Sequence, residues 1–345
     1  MAIPVVLQLE NWYRKNRRPL PWRTLTTPYR TWVSEVMLQQ TTVAAVIPYF
    51  ERFLARFPTL PDLARAPEEA VLAVWSGLGY YSRGRNLWRG ARHVLENFGG
   101  ALPPSAEELL RIPGIGPYTA GAIASIAFGE KAAIVDGNVK RVFARYYGIE
   151  DSIDDKATTG RLWSLAQKWV DASQTPADLN QGIMEVGATI CRKSSPDCDH
   201  CPLRRGCVAL ETHRVDAIPV RKAKTEKRKL NWLSLVYTNA DSIYLENSPD
   251  KKWWRGLWDT PHIPLASAKD LEGTLKRTVG KCTASIAPLG RAQHTVTTNK
   301  ITVHAYRINL PRKVSFSPHG RWFKTSELGS LPMSSLVSKV LALLV

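Results

Sequence analysis

The first 210 residues carry the hydrophobic spacing of helices. Apolar residues recur every three or four positions, for example in segments 67–75 and 161–170, and this period places them on one face of a helix. Segment 32–38 is also helical in pattern but mostly apolar, with one acid, Glu35, set into it. This part of the chain is therefore predicted to be all-α.

The pattern changes beyond the basic segment 211–229. Helical spacing fails in that segment, and its last nine residues, 221–229, contain six cations and one interrupting acid, Glu226: Arg221, Lys222, Lys224, Lys227, Arg228 and Lys229. Afterwards the period is two, as half-buried strands require, in segments 232–238, 242–246 and 301–310, with helical spacing only in 266–279 and 334–345. We predict a helical domain over residues 1–210, a basic connector over 211–229 and a small α+β domain over 230–345.

Length and charge restrict the class of protein. The chain has 345 residues, 44% of them hydrophobic, which suits two domains. Its net charge of +17 indicates a polyanionic partner, with nucleic acid favoured over an anionic membrane surface. No stretch approaches the roughly 20 apolar residues of a membrane span, and the first ten residues lack the order of a signal peptide. The protein is expected to be soluble and intracellular, without a membrane partner.

Four of the five cysteines lie close together in the sequence. They follow the spacing C-x6-C-x2-C-x5-C and are Cys191, Cys198, Cys201 and Cys207. Four thiolates from one loop suit either a cubane iron–sulfur cluster or a structural zinc ion. Zinc sites are more often built from two close pairs, so this spacing favours the cluster. The fifth, Cys282, is interpreted as a small apolar residue of the second domain.

A turn between two helices is predicted around residues 112–118. Ser105 and Glu108 form the pattern of a capping box that begins a helix running to about residue 111. Gly114 and Gly116 permit a tight turn, and Pro117 suits the first position of a second helix. Taken alone, such a turn is usually only structural.

Two carboxylates are candidates for chemistry. Asp136 stands ahead of a predicted helix and, by itself, would be an ordinary N-cap. Glu35 by itself would be a helical surface residue. If it is buried among its apolar neighbours, its pKa would rise and it would hold a proton near neutral pH.

Together these motifs resemble those of the MutY family of adenine DNA glycosylases in the endonuclease III superfamily. The resemblance covers residues of about 10 to 210. The cysteine spacing is similar to the superfamily's 4Fe-4S loop, segment 112–121 to its helix-hairpin-helix, and segments 34–41 and 135–141 to the parts that carry its acids. The resemblance implies a two-part helical glycosylase fold with a 4Fe-4S cluster.

The resemblance also implies roles for residues. Cleaving a purine N-glycosidic bond needs an acid to protonate the base and an anion to face the sugar cation. Glu35 would be the acid and Asp136 the anion, with Tyr118 and Asn138 as hydrogen-bonding partners. Bifunctional relatives carry a lysine at position 118, so tyrosine implies a monofunctional glycosylase that acts on a flipped-out adenine.

The implied partner is double-stranded DNA with adenine opposite 8-oxoguanine or guanine. The enzyme would act as a monomer and, in a bacterium, in the cytoplasm with the nucleoid. The residues that the resemblance places at the DNA or the lesion are Arg23, Gln40, Leu78, Tyr80, Gly114, Gly116 and His294.

The second domain looks like the Nudix-type domain that this family uses to recognise 8-oxoguanine. Segment 254–258, Trp-Arg-Gly-Leu-Trp, is its clearest mark, and segment 271–282 has only Glu272 where a working Nudix hydrolase is rich in glutamates. Nucleotide hydrolysis is therefore not expected. The family usually carries Phe-Ser-His on a hairpin where this chain has Ala292, Gln293 and His294. Either Gln293 replaces the serine contact from farther back, or selectivity for 8-oxoguanine is weakened, which is the alternative that we favour.

Three other functions are open on these motifs. A bifunctional pyrimidine glycosylase and lyase is disfavoured by Glu35 and Tyr118. A non-catalytic lesion-binding or redox-signalling iron–sulfur protein is disfavoured because both carboxylates are present. A mismatch thymine glycosylase shares the tyrosine but normally lacks the second domain.

Overall fold

A computed structural model describes residues 4–223, 226–247, 249, 253–280 and 285–344. Cys282 lies outside these residues. The chain folds into two compact units. The helical unit contains the residues up to 65 together with 86–223, and the sheet unit contains 66–85 together with the residues after 223. The predicted domains, with bounds 1–210, 211–229 and 230–345, are continuous in sequence. The observed units are not, because residues 66–85 belong to the sheet unit.

Helices make up the described chain up to residue 211, as the pattern predicts. Their bounds are α1 Pro4–Asn16, α2 Pro21–Thr24, α3 Pro28–Leu38, α4 Val43–Arg56, α5 Leu60–Arg65, α6 Glu68–Trp75, α7 Tyr81–Asn97, α8 Ala106–Leu109, α9 Pro117–Phe128, α10 Gly137–Tyr146, α11 Lys156–Ala172, α12 Pro176–Thr189 and α13 Val208–Glu211. One core of the helical unit centres on α10, α11 and α12, where the rings of Phe143 and Trp169 pack with their centroids 4.9 Å apart.

The predicted turn between two helices is present. The hydroxyl of Ser105 accepts a hydrogen bond from the amide of Glu108 at the start of α8, and α8 ends at Leu109, two residues before the predicted end. Gly114 has a φ of +87°, which side-chain-bearing residues rarely adopt, and Pro117 opens α9. The turn therefore aims the first residues of α9, which include Tyr118, toward the end of α3.

The sheet unit is built on one mixed sheet of six strands. The strands are β1 Arg228–Asn239, β2 Ser242–Glu246, β3 His262–Leu265, β4 Ser285–Val296, β5 Asn299–Asn309 and β6 Gly320–Lys324. The order is β4-β5-β1-β2-β6, with β3 also paired to β1; β1 and β5 are parallel, and the other pairs are antiparallel. Helix α14 is Leu271–Val279 and helix α15 is Ser335–Leu341.

Both faces of this sheet are covered by apolar side chains. Val337 of α15 belongs to one buried cluster, and Val279 of α14 belongs to the other. The α+β prediction is confirmed, although the sequence pattern does not predict β3, β4 and β6. Strand β4 is largely exposed and carries Pro288 and a register shift before Gly290, so it lacks a clear two-residue period. Among the described residues, no helix is long and apolar enough to cross a membrane.

A close backbone approach at Gly121 sets the distance between α9 and the segment that leads to Asp136. A Cβ on Gly121 would lie 2.2 Å from the carbonyl oxygen of Ala133, whereas one on Gly160 of α11 would meet no heavy atom within 4 Å.

We expect Gly121→Ala to lower the free energy of unfolding by about 1–3 kcal/mol, because backbone must move to admit the methyl group. The matched control Gly160→Ala should be neutral or stabilising by up to about 1 kcal/mol. Urea denaturation of both variants measures these changes. Equal stability of the two variants would contradict the close approach.

Candidate active site

A cavity of about 590 Å³ lies in the helical unit. Its walls come from α3, from the start of α9, from the start of α10 and from α12. It brings together eight of the residues that the sequence singles out: Arg23, Glu35, Gln40, Gly114, Gly116, Tyr118, Asp136 and Asn138.

Glu35 is a buried carboxyl group in this cavity whose pKa is raised. Its helix is apolar on nearly every side, because Trp32, Val33, Val36 and Met37 are all buried, and Glu35 itself is only 5% exposed. Removal from water raises the pKa of Glu35 to about 7, and the nearby Asp136 also raises it, while the Tyr118 hydrogen bond and Arg23 act in the opposite direction. The burial expected from the sequence is therefore present, and Glu35 holds a proton near neutral pH.

Tyr118 joins the second helix of the hairpin to Glu35. Its hydroxyl donates a short hydrogen bond to Oε2 of Glu35 and also lies 3.4 Å from Sδ of Met184. Burial, together with the charges of Glu35 and Asp136, raises the pKa of Tyr118 well above its ordinary value. The hydroxyl therefore stays protonated and orients the carboxyl group.

Asp136 caps α10 and faces the same cavity. Its Oδ1 accepts from the amide of Val139 at 2.7 Å, and its Oδ2 accepts from Nδ2 of Asn138 at 3.0 Å. Burial raises the pKa of Asp136, and these hydrogen bonds together with the charge of Arg141 oppose that rise. The two interpretations of Asp136, helix cap and site residue, are thus compatible, because one oxygen caps the helix and the other is held by Asn138.

Arg23 is held inside the cavity wall by a buried acid. Its guanidinium lies 2.8 Å from Oε2 of Glu185, and Arg18 reaches Oε1 of the same carboxylate at 2.6 Å. Although burial opposes it, these hydrogen bonds and charges lower the pKa of Glu185 to about 2. Contact of Arg23 with DNA stays a prediction, since the structure engages this side chain with Glu185 and over the ring of Tyr13.

The four cysteines of the loop after α12 line one small cavity together. None of the four is in a disulfide. Arg145 of α10 points its Nη1 at Sγ of Cys191 from 3.3 Å, and Arg141 donates to the carbonyl of Cys191 at 2.7 Å and to Oδ1 of Asn138 at 2.7 Å. Helix α10 therefore connects the cysteine loop to the cavity that contains Asp136.

A second cavity, of about 360 Å³, lies wholly within the sheet unit. It brings together Leu78, Tyr80 and His294, three of the residues assigned to the lesion, and Gln40 instead lines the first cavity. Burial lowers the pKa of His294, which keeps its imidazole neutral.

Ala292 and Gln293 occupy opposite faces of β4. Ala292 is 6% exposed and belongs to the core cluster beneath α15. Gln293 is exposed, and its carbonyl accepts a hydrogen bond from Nζ of Lys339 at 3.0 Å. A phenylalanine in place of Ala292 would therefore enter the core rather than the surface.

Sequence reasoning missed several residues that contact these sites. Glu185 could have been found by the rule that singled out Glu35, because it too is an acid in an apolar helix. Arg141 and Arg145 gave no such signal, since most of their partners are backbone carbonyls and a thiol far along the chain.

Comparison with known sequences and structures gives a consistent result. The profile described as "HhH-GPD superfamily base excision DNA repair protein" matches residues 33–168, and that of the "NUDIX domain" matches residues 232–343. Proteins named adenine DNA glycosylase are similar over most of their length: that of Mus musculus is 36% identical, covering 96% of this chain and 76% of its own, and that of Homo sapiens is 34% identical, covering 96% and 72%.

Two solved structures resemble the helical part. A thermostable thymine-DNA glycosylase is 30% identical with a TM-score of 0.55, covering 60% of this chain and 95% of its own. A non-covalent endonuclease III–DNA complex is 22% identical with a TM-score of 0.50, covering 60% and 94%, and shares the fold.

The raised pKa of Glu35 should make stability depend on pH. Because the folded chain binds this proton more tightly than the unfolded chain, Glu35 contributes stability fully below about pH 4.5, and this contribution is lost as pH rises through about 7. Glu35→Gln cannot lose a proton. We expect its thermal midpoint, relative to the wild type, to rise by at least about 3 °C between about pH 5 and about pH 8.

Differential scanning fluorimetry over this pH range measures the effect. The control is Glu107→Gln, since the Glu107 side chain is 84% exposed, and its difference from the wild type should stay flat. A difference for Glu35→Gln that is also constant would mean that Glu35 ionises with an ordinary pKa.

Proposed function

The chain belongs to the adenine DNA glycosylase family, and we propose that it removes adenine mispaired with 8-oxoguanine or guanine in double-stranded DNA. The reaction is hydrolysis of the N-glycosidic bond of a flipped-out adenine, and the protein acts as a single chain. The observation that carries this proposal is the buried Glu35 in hydrogen-bonded contact with Tyr118.

Glu35 is proposed as the general acid. A carboxyl group with a pKa of about 7 is protonated in a large fraction of molecules at neutral pH, yet it can release its proton to the departing purine. Protonation of the ring makes adenine a better leaving group. The hydroxyl of Tyr118 holds the carboxyl group in one orientation. Because this hydroxyl donates to Oε2, the proton of the carboxyl group is on the other oxygen.

Asp136 is proposed to stabilise the sugar cation that forms as the bond breaks. Its Oδ2 is held by Asn138, and its capping bond to Val139 fixes the other oxygen. A fixed negative charge in a site shielded from water stabilises a developing cation more strongly than water would. Asn138 is therefore a positioning residue for Asp136.

Tyr118 also disfavours cleavage of the DNA strand. A lyase step needs an amine that can form a Schiff base with the sugar. A phenolic hydroxyl cannot do so. The product is accordingly an abasic site in an intact strand.

Cys191, Cys198, Cys201 and Cys207 are proposed to hold a 4Fe-4S cluster. Their shared cavity supports this, and so does their spacing. A 4Fe-4S cluster takes four thiolate ligands, and this loop supplies four cysteines. The cluster would fix the loop that Arg145 and Arg141 join to α10.

DNA is proposed to contact both units. A Cβ at Gly116 would meet no heavy atom within 4 Å, so the backbone of the hairpin is open to a phosphate. Leu78, Tyr80 and His294 share the second cavity, which supports their assignment to the base opposite the adenine. Helix α14 has a single acid, Glu272, so nucleotide hydrolysis by the sheet unit is not proposed.

Thymine removal is the second candidate, because one structural neighbour is named a thymine-DNA glycosylase. That structure is matched over 95% of its length but covers only 60% of this chain, so the rest of this chain has no counterpart in it. Adenine glycosylases of two mammals cover 96% of this chain. The adenine substrate is therefore favoured.

The test is excision from four duplexes, with adenine or thymine placed opposite guanine or 8-oxoguanine. We expect adenine release, no thymine release and no adduct on borohydride treatment. Glu35→Gln and Asp136→Asn should each lower adenine release by about a hundredfold or more, while Glu35→Gln retains binding to the same duplex. Thymine release alone, or normal turnover by Glu35→Gln, would overturn the assignment.

Metal analysis tests the proposed cluster. Purified protein should be brown, absorb near about 400 nm and contain about four iron atoms per chain. Cys198→Ala should lose this iron, whereas Cys282→Ala, which changes the cysteine outside the loop, should retain it. Stoichiometric zinc without iron would contradict the cluster.

A further inference from the structure

The cavity of the sheet unit has an aromatic wall that the assigned residues do not account for. Trp254 lines this cavity together with Tyr80 and His294. Its ring centroid lies 5.9 Å from that of His294 and 5.8 Å from that of Trp232, which it meets edge-on. Trp253 stacks on Trp232 at 5.8 Å, and its ring centroid lies 6.1 Å from that of Trp254. Trp254 is therefore packed against two other indole rings.

A turn that carries Tyr80 also lines this cavity, and it is fixed to the rest of the same unit. The hydroxyls of Ser76 and Tyr81 both donate to the carbonyl of Met333, at 2.9 and 2.7 Å. Inside the turn, Trp75 donates to the carbonyl of Gly79 at 3.1 Å. These hydrogen bonds fix the residues before and after Tyr80, so the turn is held in place.

Tyr80 itself presents an open ring. It is 46% exposed, and the guanidinium of Arg83 lies 5.3 Å from its ring centroid. A cation on one side of an aromatic ring leaves the other side for a further planar partner. Leu78, which is 8% exposed, forms an apolar floor beside it.

The chemistry of these walls fits one planar heteroaromatic ring. Two large aromatic side chains offer stacking, His294 offers a neutral imidazole with one donor and one acceptor, and the exposed Thr295 and Thr297 add hydroxyls. An unstacked purine base has the faces and the edge atoms that such a set contacts. A hydrophobic peptide side chain would leave the imidazole and the hydroxyls without use.

We propose that Trp254 contacts the purine base opposite the excised adenine and thereby contributes to recognition of that base. This inference rests on the proposed function, because it assigns the occupant of the cavity as the base in the opposing strand. Trp254 would supply an aromatic contact that position 292 does not, because Ala292 is buried in the core of the same unit.

Binding to base-deleted DNA tests this contact without requiring catalysis. Both duplexes carry a tetrahydrofuran abasic analogue in place of the adenine nucleotide. One has guanine opposite this analogue, and the other has a second tetrahydrofuran there. We expect Trp254→Leu to bind the guanine duplex about tenfold more weakly and the base-free duplex within about twofold of the wild type. Trp254→Phe should retain most of the guanine-dependent gain.

Trp322→Leu is the matched control in the same unit. Trp322 packs on Tyr244 with ring centroids 5.6 Å apart and donates to the carbonyl of Val314, away from the cavity. This variant should change both affinities equally or not at all. Equal weakening of both duplexes by Trp254→Leu, or no weakening, would refute the contact and indicate a structural role.

A second measurement uses the wild type, in case Trp254→Leu does not fold. A duplex with photoreactive 6-thioguanine opposite the tetrahydrofuran is irradiated in the complex, and the crosslinked peptide is identified by mass spectrometry. A crosslink to Trp254 supports the proposal, and crosslinks confined to residues outside the cavity overturn it. Absence of adenine excision by the wild type would overturn the proposed function instead, so the two failures are distinguishable.

Discussion

The cost of ionising one carboxyl group inside an apolar helix governs the chemistry of the helical unit. Glu35 is only 5% exposed in a helix whose Trp32, Val36 and Met37 are also buried, and Tyr118 supplies one neutral donor. That donor orients the group but does not offset the desolvation. The proton therefore stays bound up to about pH 7, which is the condition for an acid that must give a proton to a base.

Glu185 lines the same cavity, but its pKa is lowered instead of raised. It is as buried as Glu35 and stands in an equally apolar helix, but two guanidinium groups reach its oxygens. Its pKa falls to about 2. The pKa values of these two acids of one cavity thus differ by about 5. Desolvation raises that of Glu35, whose partner is a phenol, whereas two cationic partners outweigh desolvation at Glu185. Arg23, once neutralised by Glu185, can lie near Glu35 without holding it ionised.

Much of this arrangement could be predicted from local pattern. Helical periods, the turn at Gly114 and the cap at Asp136 depend on neighbours in the chain, and the structure contains all three. The contacts of Arg141 and Arg145 depend on residues about fifty positions away, and no periodicity encodes such pairs. Strand β4 was not predicted because an exposed strand with a register shift has no alternating pattern of apolar and polar residues.

The pleat of β4 also limits what motif comparison can say about selectivity. Side chains on a strand alternate between faces, so Ala292 packs inward while Gln293 points outward. A large aromatic residue at position 292 would have to overpack the core beneath α15 before it could reach any ligand. Aromatic contact with a base must then come from another element that faces the same cavity. In this chain, that element is segment 253–254, which lines the same cavity as Tyr80 and places the ring of Trp254 5.9 Å from that of His294.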